Sequence, residues 1–102
     1  TNSWTEVGGD LPAARNLPAV ARHGSTTIIV GGRGAERTAL ADAWQLPDAT
    51  AAFSPLAIAA EAAPGPRWGA SLIDDPTGDG LVLFGGTDGS TAFGDLWALG
   101  WQ

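Results

Sequence analysis

Apolar residues in this chain come in short runs rather than at helical spacing. Thr26-Thr27-Ile28-Ile29-Val30 is β-branched throughout and stops at Gly31-Gly32, and Leu81-Val82-Leu83-Phe84 stops in the same way at Gly85-Gly86. Each run has a predicted hairpin partner before it. Ala13 to Arg22 leads through His23-Gly24-Ser25 into the first run. Trp68 to Ile73 leads through Asp74-Asp75-Pro76-Thr77-Gly78-Asp79-Gly80 into the second, with Gly, Pro and Asp supplying the turn dihedrals. A third strand is predicted after each glycine doublet from alternation with period two. Leu40, Asp42, Trp44 and Leu46 fall on one face, as do Phe93, Asp95, Trp97 and Leu99. Leu56 to Ala63 has helix propensity and reads as a strand end plus a connection able to hold a helical turn.

These elements repeat. The doublet Gly31-Gly32 returns as Gly85-Gly86, and Asp42-Ala43-Trp44 returns as Asp95-Leu96-Trp97, both at a spacing of roughly 50 residues. Arg15 precedes the first doublet by nearly the interval at which Arg67 precedes the second. Trp4 and Phe53 stand in turn before those arginines, again at similar intervals. Five features in the same order at one spacing define two copies of a single unit.

A Trp, an Arg at or near Pro-x-Arg, an apolar hairpin ending in Gly-Gly, and Asp-x-Trp together resemble the kelch repeat. The second copy carries the pattern most fully, in Pro66-Arg67-Trp68-Gly69, Leu81 to Gly86 and Asp95-Leu96-Trp97. The first departs from it, since Ala13-Ala14 precedes Arg15 and Pro12 lies further upstream. The resemblance implies an all-β fold of two propeller blades, each a four-stranded sheet.

On that expectation residues 13–57 form the first blade and 67–102 a second blade lacking its outer strand. Residues 1–8, around Trp4, supply the outer strand that closes a neighbour's blade. Propellers have about four to eight blades, and repeat arrays need about three or more units for a stable shared core. Two blades therefore point to a ring of identical chains or to a piece of a larger one. The path from Asp95 through Gln102 and on from Thr1 to Trp4 is as long as that from Asp42 to Phe53, as strand exchange between copies requires. Six blades is common among kelch-like propellers, so the resemblance favours a homotrimer, with a dimer or tetramer left open.

Composition narrows the function. Five Arg and no Lys face eleven acidic residues, for a net charge of −6, which argues against nucleic acid as partner. Cys and Tyr are both zero, so thiol nucleophiles, zinc–thiolate sites and the copper–tyrosyl–cysteine centre of kelch-like oxidases are excluded within this chain. No apolar run approaches the ~18 residues of a membrane helix. No basic-then-apolar start marks a signal peptide, and the first residue is Thr, so the chain is read as processed, trimmed or cut from something longer. No membrane partner is expected, and no compartment is read.

Gly31, Gly32, Gly85 and Gly86 lack a following Gly-Lys-Ser/Thr and are read as sites of close backbone approach rather than phosphate loops. Trp4, Trp44, Trp97 and Trp101 are read as packing between blades, with sugar stacking as the alternative. Asp42 and Asp95 need partners if partly buried, and Arg15 and Arg67 are the natural ones, which suggests a structural clamp. Asp74, Asp75 and Asp79 fail the calcium-loop spacing and are read as a solvated turn. His23 is read as a turn residue.

The loops after each doublet, with Arg33, Glu36 and Arg37 in one and Thr87, Asp88 and Ser90 in the other, are the candidate partner sites. Their small polar residues suit a peptide or a saccharide. The resulting expectation is a non-catalytic scaffold that assembles with itself, with no cofactor or metal. The alternatives are a fragment of a larger propeller enzyme and a saccharide-binding propeller.

Overall fold

The computed structural model describes residues 2–6, 12–58, 63–75 and 77–100. Thr1, Val7 and Gly8 of the expected exchanged strand, Trp101, Pro76 and residues 59–62 of the helix-prone stretch lie outside these. The fold is all-β, two antiparallel sheets with no α-helix among the described residues. None of the helical structure described is long and apolar enough to cross a membrane.

The first sheet has four strands in sequence order: β1 (Ala19–His23), β2 (Thr26–Arg33), β3 (Ala39–Pro47) and β4 (Ser54–Pro55). The second has three, β5 (Ser71–Asp74), β6 (Gly80–Phe84) and β7 (Leu96–Gly100). β1 and β2 form a tight hairpin in which His23 pairs with Thr26, and Gly24 turns the chain at φ +59. β4 adds to β3 by pairing Pro55 with Trp44 and Ser54 with Gln45. No described strand lies on the corresponding side of β7.

Two of the expected strands start later than their pattern suggests. Before Ala19 and Ser71 the β-pairing with the hairpin partners is reduced to the isolated bridges Asn16–Arg33 and Trp68–Thr87. Between bridge and strand stand Leu17 at φ +54 and Gly69 at φ +72, left-handed residues at matching positions that break each ladder. β7 likewise begins at Leu96, so Phe93 and Asp95 precede it. Phe93 N–H donates to Gly86 O at 2.8 Å and its ring lies 4.2 Å from the Arg67 guanidinium, contacts that draw the chain out of line with β6. In the first sheet a register shift between Val30 and Gly32 likewise interrupts the alternation through Leu40 and Asp42.

Cross-strand partners share a face. One face of the first sheet carries Ala19, Ala21, Ile28 and Val30, and it packs on the face of the second that carries Leu72, Leu81, Leu83, Trp97 and Leu99. Ile28 and Leu81 are fully buried in this core. Burying such side chains is worth about 1.5–3 kcal/mol each.

The packing is head to tail, because the two sheets use opposite faces of equivalent strands. The other face of the first sheet carries Val20, Ile29 and Trp44. The other face of the second carries Ile73, Phe84 and Leu96. Val20, Ile73, Phe84 and Leu96 are each more than half exposed.

Three backbone bonds fasten the sheets. Gly32 N–H donates to Arg67 O at 2.9 Å, Arg67 N–H donates to Leu40 O at 3.0 Å, and Gly69 N–H donates to Leu17 O at 2.9 Å. At the opposite end His23 Nδ1 lies 2.7 Å from Asp74 Oδ1.

Candidate functional site

The entry segment of each unit places one arginine against the end of the third strand. Arg15 donates from Nη1 to Asp42 Oδ1 at 2.6 Å and from Nη2 to Oδ2 at 2.9 Å. Its Nη1 also reaches Gly31 O at 3.1 Å and its Nε reaches Ala13 O at 3.0 Å. Arg67 repeats every bond: Asp95 Oδ1 at 2.6 Å, Asp95 Oδ2 at 3.0 Å, Gly85 O at 3.0 Å and Gly65 O at 3.2 Å. Trp44 Nε1 donates to Asp42 Oδ2 at 2.8 Å and Trp97 Nε1 to Asp95 Oδ2 at 2.7 Å. Arginine suits this position because its planar fork meets both carboxylate oxygens at once.

The electrostatics follow from those bonds. The Arg15 and Arg67 side chains are nearly buried, while Asp42 and Asp95 keep 43% and 39% of theirs exposed. Arg67, then Trp97, hold the Asp95 carboxyl far below the usual carboxylate range. Arg15, and less strongly Trp44, lower Asp42 against an opposing contribution from partial burial. Two carboxylates locked in the ionised state are poor proton donors or acceptors near neutrality. The arrangement is a clamp that ties the unit's entry segment to its second and third strands.

The glycine doublets complete each clamp by letting backbone come close. A Cβ on Gly31 would stand 2.6 Å from Arg67 O, and one on Gly86 would stand 2.8 Å from Trp68 O. Gly85 differs: its nearest neighbour would be Phe93 O at 3.6 Å, and its φ of +76 is the constraint instead of space. Phe53 lies half-buried just before β4, and Trp4 is fully exposed.

The two candidate loops differ in what they leave free. In the second, Asp88 Oδ1 accepts from Ser90 N–H and Thr91 N–H, both at 2.8 Å, and Thr87 Oγ1 donates to Thr91 O at 2.7 Å. Those backbone bonds lower the Asp88 carboxyl and engage one of its oxygens, with the Thr87 hydroxyl, inside the loop. In the first, Gly34 N–H donates to Thr38 O at 2.8 Å, and Glu36 and Arg37 both take left-handed φ, +57 and +60. Such residues cost of order 1–3 kcal/mol each. Arg33, Glu36 and Arg37 line one open cleft of about 580 Å³ with Ala14, Arg15 and Asn16.

Trp68 joins the loops. The Arg33 guanidinium lies 5.5 Å from its ring centroid, and a Cβ on Gly89 would stand 2.8 Å from its Cη2. The sequence pattern does not single out Trp68 as a site residue, since its place after Pro66-Arg67 marks the repeat and says nothing of what it touches. His23 reads from the sequence as a turn residue alone, yet it ends β1 and meets Asp74 of the other sheet. Of the turn acids, Asp75 Oδ1 accepts from Thr77 N–H and Thr77 Oγ1, both at 2.9 Å. No family model matches the chain.

Proposed function

We propose that this chain is a two-blade unit of a kelch-like β-propeller that associates head to tail with copies of itself into a closed ring, a non-catalytic scaffold. The observation that carries this is the mismatch of covered and uncovered faces. Ala19, Ala21, Ile28 and Val30 of the first sheet are core, while the equivalent face of the second sheet leaves Ile73, Phe84 and Leu96 in solvent. The face of the first sheet that would receive them, with Val20, Ile29 and Trp44, is equivalent to the one the second sheet buries. A second copy satisfies both with the packing the chain already uses once. Such an interface is heterologous, and it closes into a ring when the rotation per copy suits.

The edge of β7, on which no described strand lies, supports the same assembly. By the repeat, Trp4 matches Phe53, so Thr5 and Glu6 of a neighbour match Ser54 and Pro55. They would pair with Ala98 and Trp97 as β4 pairs with Gln45 and Trp44. Six blades require three copies, the trimer that the kelch resemblance favours. Asp42 and Asp95 are engaged by arginine and offer little to a catalytic role.

Light scattering on a sizing column tests the reading. A single species at three times the chain mass of 10.3 kDa is the expected result. A stable species at the mass of one chain, at micromolar concentration, overturns self-assembly.

A further inference from the structure

Three of the five arginines are neutralised by a carboxylate: Arg15 by Asp42, Arg22 by Asp48 and Arg67 by Asp95. Arg33 and Arg37 have no such partner among the described residues, and both line the same open cleft. In a chain of net charge −6, unneutralised cations sit most favourably apart, spread among the surplus acids. Here two of them share one concavity, with a single carboxylate, Glu36, beside them.

Arg33 is also oriented. Its Nε donates to Asn16 Oδ1 at 3.2 Å and its guanidinium lies over Trp68. Those contacts use the Nε edge and one face and leave both terminal nitrogens without an acceptor among the described residues. A stacked guanidinium with a free outer edge is suited to take a carboxylate through two parallel bonds.

We propose that this cleft binds a carboxylated saccharide of the hexuronate class. The carboxylate meets Arg33 and Arg37, and ring hydroxyls donate to Glu36 and accept from the Asn16 amide. Two cations beside one anion complement a ligand that carries a single negative charge and neutral hydroxyl donors. They suit a phosphate dianion less well, because Glu36 and the chain's net charge oppose the second charge. The cleft is open rather than enclosing, so recognition rests on its charged side chains and not on burial of the ligand. Every lining residue belongs to one chain, so the site stands whether or not copies assemble.

The test is a calorimetric titration of the full chain with glucuronate, with glucose, acetate and inorganic phosphate in parallel. Tryptophan emission is followed as a second readout because Trp68 lies under Arg33. Saturable binding of glucuronate, absent with glucose, is expected. Arg33→Gln and Arg37→Gln should each raise its Kd about tenfold or more, Arg37→Gln with the urea midpoint unchanged. The Arg37 side chain makes no hydrogen bond or ion pair among the described residues, so Arg37→Gln reads the site even where Arg33→Gln perturbs folding. No saturable glucuronate binding overturns the proposal. So does an affinity that Arg37→Gln leaves unaltered, or acetate or phosphate binding as tightly as glucuronate, which would mean that charge alone is read. Solution mass measured on the same sample reports assembly separately, so the two readings fail independently.

Discussion

The amide of Gly32 donates to the carbonyl oxygen of Arg67 at 2.9 Å, and this bond is a hinge pin between the two sheets. The side chain of Arg67 clamps its own unit while its backbone is held by the preceding one. One residue thus sets both the internal geometry of a unit and its junction with the one before it.

The neighbouring Gly31 makes that junction sensitive to a single methyl group. A Cβ there would stand 2.6 Å from Arg67 O and 3.0 Å from Leu40 O, both backbone atoms, at φ +65. Gly85 holds the equivalent place in the second unit, where a Cβ would meet only ordinary contact with Phe93 O at 3.6 Å, so the backbone conformation alone opposes a side chain. Gly85→Ala should lose about 1–2 kcal/mol. Gly31→Ala should lose about 2–5 kcal/mol, because forced repacking adds to the same backbone cost. Urea unfolding of the two variants compares them directly. Equal losses would mean that the close approach at Gly31 contributes nothing.

That contrast shows how far the sequence could be read. The hairpins were legible because β-branched runs, turn residues and the Gly-Gly stops are local signals. The pairing of Arg15 with Asp42 and of Arg67 with Asp95 was legible because each residue recurs once per repeat. Local pattern failed where a contact joins the sheets. Trp68 stands far from Arg33 in the chain, in the other unit, and nothing near either residue marks their stacking. His23 and Asp74 meet once and have no counterpart in the second unit, so a reading built on repetition passes over them. The late start of β7 has the same origin, since Phe93 is drawn aside by Gly86 and Arg67, distant residues that its own alternation cannot report.

Acid should weaken this fold through its clamps. The carboxyls of Asp42 and Asp95 are lowered from the ordinary 3.8, first by arginine and with tryptophan assisting. Below that ordinary value the unfolded chain binds protons that the folded chain still refuses, so stability falls with pH. The contribution is fully present above it and is lost as pH drops from there through the folded values. Urea midpoints should therefore stay level on this account between about pH 7 and pH 5 and decline below about pH 4. Asp95→Asn should lower the neutral midpoint and flatten the acid decline. A variant that keeps the full wild-type acid slope would show that the Arg67–Asp95 pair is not its source.

Removal of residues 1–7 separates strand exchange from face-to-face packing. The truncated chain keeps both sheets and both uncovered faces but loses the segment with Trp4 that the proposed ring adds to β7. Its solution mass should fall to that of the single chain at micromolar concentration, while the β-sheet circular dichroism signal persists. A truncated protein that still forms the same ring would assign assembly to the faces alone.

The head-to-tail arrangement has a sharper consequence, because the two surfaces that meet are different. Phe84→Glu places a charge on the exposed face of the second sheet, where Phe84 is 52% exposed. Val20→Glu does the same on the opposite face of the first sheet, where Val20 is 51% exposed. Neither side chain belongs to the core of the single chain, so both variants should fold and each alone should run at the mass of one chain. Mixed, they should do what neither does alone. Phe84→Glu keeps an intact first-sheet face, Val20→Glu keeps an intact second-sheet face, and these two faces are the complementary pair. The mixture should yield a species of twice the chain mass that grows no further, since a charged face caps each end. An interface made of one self-complementary patch would leave at least one variant dimeric by itself and would give no new species on mixing. The mass of the mixture against those of its components therefore distinguishes open, ring-forming association from a closed two-fold contact.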